Sequence, residues 1–436
     1  MTANPGTTRG HAHATFRFLP VVSVRRMGKG AGMDDGSLTI SRRTALAGGA
    51  AGIGALLAAS VVPKAKAVRT GGIEATDLEV VTVTPTSVTF GFASYTAPHP
   101  AYGPLRPTVP TLGEVAMAPA DDPIAANDPV RSQALPRSAG SWIRPGMPDL
   151  PAVKASESET GFHLVTVDGL EPGREYAFEC RCDGIPATPG LMTTNLPGTP
   201  EISGRVTTLT PPPCEHVTTI AVLNDTHIGE EKHGLILGDP WGEEFVPRQT
   251  MWRTDVGGLR VIGIDSSMLD ESGGRIEEAQ FEALEAELAA DPARPTLLMA
   301  HHPVTVEAAF TNVGTPAFTL NLDHSDRLQR MLAATPGAFL MAAGHTHRAR
   351  RTAPDAARNV DFVEFGSAAG YPGGYTLVHL HTGGYQVNFH RTGSPEALRW
   401  SSRSRWAMYG LNPEYTLGAT EHRNYVVHRD LSGLAR

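Results

Sequence analysis

Three short polar runs, each set directly behind an apolar stretch, constrain this chain more than anything else in it. Asp225-Thr226-His227 follows residues 219–223, His301-His302-Pro303 follows 296–300, and Gly344-His345-Thr346-His347 follows 339–343. Apolar runs of this length read as buried strands. In an open α/β sheet, side chains just beyond the carboxyl ends of the strands converge on one crevice. One carboxylate and up to four imidazoles then meet in one place. In D-x-H and H-x-H the two side chains stand two apart and share a face of an extended chain. Oxygen and imidazole donors without thiolate suit Zn, Mn, Fe or Co. A single pair of this kind carries little weight. His379-Leu380-His381 has the same spacing and reads as one face of a surface strand, and His11-Ala12-His13 lies ahead of the expected mature protein.

Taken in order, these runs resemble the calcineurin-like metallophosphoesterases. That pattern is D-x-H, G-D-x-x-D, G-N-H-D/E, a His often in H-H-P, and G-H-x-H. The resemblance covers residues 218–390. It implies that Asp225, His227 and His347 hold a first metal and that His301 and His345 help to hold a second, with Mn, Zn or Fe as the ions. It also implies hydrolysis of a phosphomonoester or phosphodiester by attack of a metal-bound water, while the ions stabilise the charge. No catalytic residue is assigned. The candidate is His302, as a support for the ligands or a substrate contact.

Two of the five motifs have no counterpart: G-N-H occurs nowhere, and Gly238-Asp239-Pro240-Trp241-Gly242 ends in Gly where the pattern asks for Asp. The family's bridging Asp, Asn ligand and acid His have no clear equivalents, and a strand–helix–strand stretch looks excised around 234–239. The first site keeps three protein ligands, enough with a water for one catalytic metal. The second keeps two imidazoles, and a close ion pair without a bridging carboxylate repels strongly. Asp239, Glu243 and Glu244 are the nearby acids that would have to substitute. Asp265, closing the apolar run 261–264, either lines the crevice or binds nearby backbone N–H groups. Arg348 and Arg350 either bind phosphate oxygens or form a solvated basic face. Two functions follow from different classes. One is an exported metal-dependent phosphoesterase; the other is a non-catalytic relative that serves as a surface binding module.

Export is read from the leader. Ser41-Arg42-Arg43-Thr44-Ala45-Leu46 opens a twin-arginine signal, the apolar run 45–62 is rich in Gly and Ala, and Ala65-Lys66-Ala67 is an A-x-A cleavage site. Its small residues make the run weakly hydrophobic, against a membrane anchor. Residues 1–67 therefore read as an N-terminal extension and signal peptide. The expected location is extracellular, periplasmic or cell-surface, with membrane contact only through the signal segment.

The chain's net charge of −8 is spread without a long basic run, so a phosphate-ester substrate is the expected partner and nucleic acid is not. Cys180 and Cys182 share a strand face. Either pairs with Cys214 in an oxidising compartment, or the thiols stay unbridged.

Residues 68–212 read as an all-β sandwich, with alternation at 77–83, 87–92 and 162–167. Gly169-Leu170-Glu171-Pro172-Gly173-Arg174-Glu175-Tyr176 resembles the turn before the tyrosine corner of fibronectin type III domains. Residues 97–151, rich in Pro and Ala, read as an unusually long insertion. Pro211-Pro212-Pro213 is a stiff linker. Residues 213–390 read as a layered α/β metallophosphoesterase-like domain. Its clearest helix is 276–290, with a stripe of Phe281, Leu284 and Leu288 and Pro292 as its stop; Leu328, Met331 and Leu332 mark a second. Residues 391–436 read as a tail packed over the catalytic domain or the sandwich.

Overall fold

The computed structural model describes residues 69–70, 72–97, 109–122, 130–133, 161–190, 199–226, 250–268, 271–394, 397–398, 401, 404–405 and 415–435. The signal segment, His227, Asp239, Glu243 and Glu244 lie outside them.

The N-terminal half is built of strands β1 (Arg69–Thr70), β2 (Ile73–Val83), β3 (Ser87–Thr96), β4 (Leu112–Pro119), β5 (Val130–Gln133), β6 (Phe162–Asp168), β7 (Glu175–Cys182), β8 (Ile185–Pro186) and β9 (Arg205–Thr207), with the short helix α1 (Pro200–Ser203) before the last. They form one sheet in the order β1-β2-β3-β6 and a second in the order β5-β4-β7-β8, with β9 also on β7. Val80, Val88, Phe90 and Phe92 from the first meet Val115, Met117, Tyr176 and Cys180 from the second in one apolar core. Strands β4 and β5 fall inside the stretch expected to be an insertion. Alternate residues of β4 are buried, Val115 and Met117 among them, the inward/outward pattern of a half-covered sheet. The surrounding Pro and Ala concealed it. The Tyr176 hydroxyl accepts the Glu171 N–H at 2.9 Å. All three cysteines are free thiols, Cys180 and Cys182 buried and Cys214 exposed, so no bridge to Cys214 forms.

The C-terminal half is a sheet-rich α/β unit. Strands β10 (His216–Val222), β11 (Trp252–Val256), β12 (Leu259–Ile264), β13 (Thr296–Ala300), β14 (Ala338–Ala343), β15 (Arg350–Thr352), β16 (Asp361–Glu364), β17 (Gly374–His381), β18 (Gly384–Arg391) and β19 (Asn424–His428) divide into two sheets. One runs β11-β12-β13-β14-β16-β15, the other β10-β17-β18-β19. In the first, β12, β13, β14 and β16 are parallel and the two edge strands are antiparallel. Every residue of β12 and β14 is buried, as a parallel sheet covered on both faces requires. Helices α2 (Glu278–Ala290), α3 (Val306–Thr311), α4 (Leu322–Ala333) and α5 (Thr420–Arg423) complete the half. Phe281, Leu284, Leu288, Leu328 and Leu332 of α2 and α4 cover one face of the sheet against Ile262, Leu298 and Met341. The other face packs through Leu259, Leu297 and Phe339 onto Val222, Val378, Val387 and Tyr425 of the second sheet. The Asn321 side chain caps α4 by accepting the Asp323 N–H at 3.0 Å.

Two expectations change here. Strand β10 was expected to be buried like the strands before the other two motifs. It lies instead at an edge of the second sheet, and Val222 is its one buried residue. Thr219, Ile220, Ala221 and Val222 alternate polar or small with branched apolar, which suits a half-covered edge better than a sheet interior. The segment after 390 does more than pack over a finished domain. Strand β19 pairs with β18 as the last strand of the second sheet, and Leu431 and Leu434 enter its core.

Candidate metal centre

Strands β13 and β14 are parallel neighbours, so the residues that leave their carboxyl ends run side by side. The Gly344 N–H donates to the His301 carbonyl at 3.0 Å. Asp225 arrives from the other sheet. Asn224 forms a parallel bridge with Ser367 and its side-chain amide donates to the Ala343 carbonyl at 2.8 Å, which stitches the end of β10 to the end of β14.

The side chains of Asp225, His301, His302, His345 and His347 meet at this junction. Asp225 Oδ1 lies 3.8 Å from His301 Nδ1 and 3.6 Å from His347 Nε2. It also accepts the His345 backbone N–H at 2.9 Å. His301 Nε2 and His345 Nδ1 share a hydrogen bond of 2.9 Å. Among the described residues, His301, His302 and His345 offer ligand atoms within 4.8 Å of one another. Asp225 is 1% exposed at its side chain whereas His301 and His347 are 39% and 30% exposed, so the cluster has a buried floor and an open rim.

The backbone is strained where the ligands sit. Asp225, His345 and His347 have φ of 50°, 65° and 55°. Left-handed geometry in a residue with a Cβ costs on the order of 1 kcal/mol. Three such residues in one cluster point to a local structure held for the direction in which it aims side chains, because no turn here requires Asp or His in place of Gly.

Electrostatics favour the ligand form of the imidazoles. Burial, with the neighbouring rings, pushes His302 and His345 well below the ordinary histidine value. Both rings are therefore neutral at neutral pH, the form that binds metal. Among the described residues, two buried polar atoms at the junction, Asp225 Oδ2 and His345 Nε2, make no hydrogen bond. An unsatisfied buried group costs about 1–3 kcal/mol. A carboxylate oxygen and an imidazole nitrogen left in that state beside further imidazoles fit a divalent cation.

His302 plays a different part from its neighbour. Its Nδ1 bonds the Ser266 hydroxyl at 2.9 Å and its ring centroid stands 4.7 Å from that of His345. Gly274 presses on it so closely that a Cβ there would come within 2.5 Å of the ring. His302 is locked against the His345 ring. Ser266 was not singled out from the sequence; its only signal is a hydroxyl directly behind the strand end that closes at Asp265.

The other candidates sort plainly. Asp265 accepts the Ser267 N–H at 3.0 Å, the backbone-binding alternative. Arg348 is buried, and its guanidinium clasps Glu364 at 2.7 Å and 2.8 Å, so it is not offered to a phosphate. Arg350 pairs with Glu307 on α3. The His379 and His381 rings are half-exposed on the outer face of β17, as the sequence suggested.

No family model and no curated protein matches the chain. Among solved structures, a dimetal phosphatase from Danio rerio matches with 13% identity and a TM-score of 0.26, over 33% of this chain and 58% of that one. The structure of PhoD matches with 9% identity and a TM-score of 0.27, over 72% and 85% of the two chains. The sensor domain of an anti-sigma factor from Pseudobacteroides cellulosolvens matches with 11% identity and a TM-score of 0.17, over 33% and 99%. Overlaps this loose leave the reading of the site to its own geometry.

Proposed function

We propose that the chain is an exported, metal-dependent phosphoesterase that hydrolyses a phosphomonoester or phosphodiester, with Asp225, His301, His345 and His347 as protein ligands and His227 as a further one. The observation that carries this reading is a pair of buried atoms, Asp225 Oδ2 and His345 Nε2, that make no hydrogen bond among the described residues and are set among imidazoles on left-handed backbone. A divalent ion bound there would supply a nucleophilic water at neutral pH and charge neutralisation for phosphoryl transfer. The chain's own residues do the rest. Asp225 holds His345 through its backbone N–H, and His302 fixes the plane of the His345 ring. The half-exposed His301 and His347 form the rim that a phosphate oxygen would approach. Export through the twin-arginine signal is part of the proposal, as is the fibronectin type III-like character of the N-terminal half.

The missing G-D-x-x-D and G-N-H motifs favour a second reading, a metal-holding surface module without turnover. One experiment separates the two. Metal content of the purified chain is measured beside hydrolysis of a chromogenic monoester and diester with added Mn or Zn, for the wild type and His347→Ala. Bound metal with turnover lost in the variant supports the enzyme. Metal without turnover leaves the binding module, and no metal overturns both.

A further inference from the structure

The Asp225 backbone is held by a segment that also reaches the N-terminal half. The Ala368 N–H donates to the Asn224 carbonyl at 2.9 Å and the Ala369 N–H to the Asp225 carbonyl at 3.3 Å. The Ser367 hydroxyl also donates to the Asp225 carbonyl, at 3.4 Å. Two residues beyond Ala369, the Tyr371 hydroxyl donates to Glu79 Oε1 of β2 at 2.7 Å. Glu79 is the centre of a buried charge cluster that joins the two halves. Its Oε1 also accepts Arg405 Nε at 2.8 Å, and its Oε2 accepts the Arg391 guanidinium at 2.7 Å. Arg405 continues to Asp77 at 3.0 Å. The Glu79 and Arg391 side chains are each 1% exposed and that of Arg405 is 3% exposed.

Burial pushes the Glu79 carboxyl up, but the Arg405 and Arg391 guanidiniums outweigh it and hold the group below its usual range. The carboxylate is thus charged and satisfied where it meets Tyr371. The segment is also tightly seated. A Cβ on Gly373 would fall 2.7 Å from Ser401 Cβ and 2.5 Å from the Gly370 carbonyl.

We infer that Tyr371 is a positioning residue for Asp225, and that Glu79 of the N-terminal half holds it in place. The path runs from Glu79 to the Tyr371 hydroxyl, back along the chain to Ala369, and across its N–H to the Asp225 carbonyl. It sets the left-handed backbone that turns the Asp225 carboxylate toward the histidines. The N-terminal half thereby becomes part of the site's scaffold without touching it. This rests on the metal reading above for its consequence, though not for the coupling itself.

The test is Tyr371→Phe in the full chain, which removes one hydroxyl and keeps the ring. Three quantities are read: amide exchange at Ala368 and Ala369, Co(II) affinity with its visible spectrum, and the melting temperature. Exchange at both amides is expected to speed up and Co(II) binding to weaken by about tenfold with a shifted spectrum, the scale found when a group that orients a metal ligand is lost. Thr89→Ala, in the exposed Thr89–Thr166 hydroxyl pair of the same half, is expected to change none of the three. A lowered melting temperature with unchanged exchange, affinity and spectrum overturns the inference and leaves Tyr371 as structural glue. Should the variant fail to fold, amide exchange and Co(II) affinity of the wild type decide it: Ala368 and Ala369 amides that exchange as fast as exposed loop amides overturn the inference. A wild type that binds no Co(II) overturns the metal reading, and the exchange rates then decide the coupling by themselves.

Discussion

The Asp225 carboxylate rests on the bare Cα of Gly344: a Cβ there would stand 2.6 Å from Asp225 Oδ2 and 3.2 Å from Asn224 Cβ. Glycine is required at this point because the carboxylate occupies the space of its missing side chain. Gly344→Ala is therefore expected to displace Asp225, a short, buried side chain with little room to yield. Metal affinity should fall roughly 10- to 100-fold, as when other supports of a ligand are lost. Calorimetric titration with Zn on a variant shown to be folded by circular dichroism checks it. Unchanged affinity would mean that Asp225 is not a ligand.

The buried Arg348–Glu364 pair predicts a stability effect where the sequence offered a phosphate contact. Both side chains are under 5% exposed at 3% and 4%, and Thr346 also donates to Glu364. Glu364→Gln leaves a buried guanidinium without its counter-charge. Breaking such a pair costs about 3–5 kcal/mol. Urea unfolding monitored by tryptophan fluorescence should show a midpoint lowered accordingly, and a variant as stable as the wild type would rule out the pair as drawn.

How much of this could be read beforehand depends on whether the information was local. The stripe of Phe281, Leu284 and Leu288 needs only helical periodicity, and it forms α2. His301, His345 and His347 were legible because each follows a strand end that the apolar runs mark. The edge position of β10 was not, because the alternation that marks it spans only Thr219 to Val222 and runs straight into Leu223, which lengthens the apolar stretch. Nor was β19, a five-residue strand whose value lies in the β18 ladder it completes. Glu79 and Arg391 lie 312 residues apart, and no short pattern announces their bond. Backbone donors such as Ala368 and Ala369 leave no mark in side-chain chemistry at all.

In the N-terminal half, His163 predicts acid lability. Its Nε2 bonds the Thr111 hydroxyl at 3.0 Å and its ring stacks on Phe92. Burial pulls it from its ordinary 6.5 down to about 4, with the Asp183 charge offsetting only part of the effect. The unfolded chain takes up a proton that the folded chain refuses, so this contribution is whole above pH 6.5 and is lost as pH falls from 6.5 toward 4. The full loss is about 3 kcal/mol at 1.36 kcal/mol for each unit of pKa. His163→Gln is expected to flatten the melting temperature profile across that window relative to the wild type. Parallel profiles for the two proteins would exclude His163 as the source.

The last prediction concerns the two unpartnered atoms. If they await a cation, binding it should stabilise the fold by mass action, about 2.7 kcal/mol at a hundredfold excess over the dissociation constant. Thermal melts of the chelator-treated protein should then rise with added Zn or Mn and return on chelation. His345→Asn is the discriminating variant. Asparagine tolerates the left-handed backbone found at this position, φ 65°, better than most residues, and it removes the unpartnered Nε2. The metal-free variant should therefore melt close to the metal-free wild type, while the metal-dependent rise is lost or sharply reduced. A rise of equal size in both proteins would place the bound ion elsewhere in the chain, and a wild type indifferent to either metal would leave His345 Nε2 as a structural cost with no ligand to offset it.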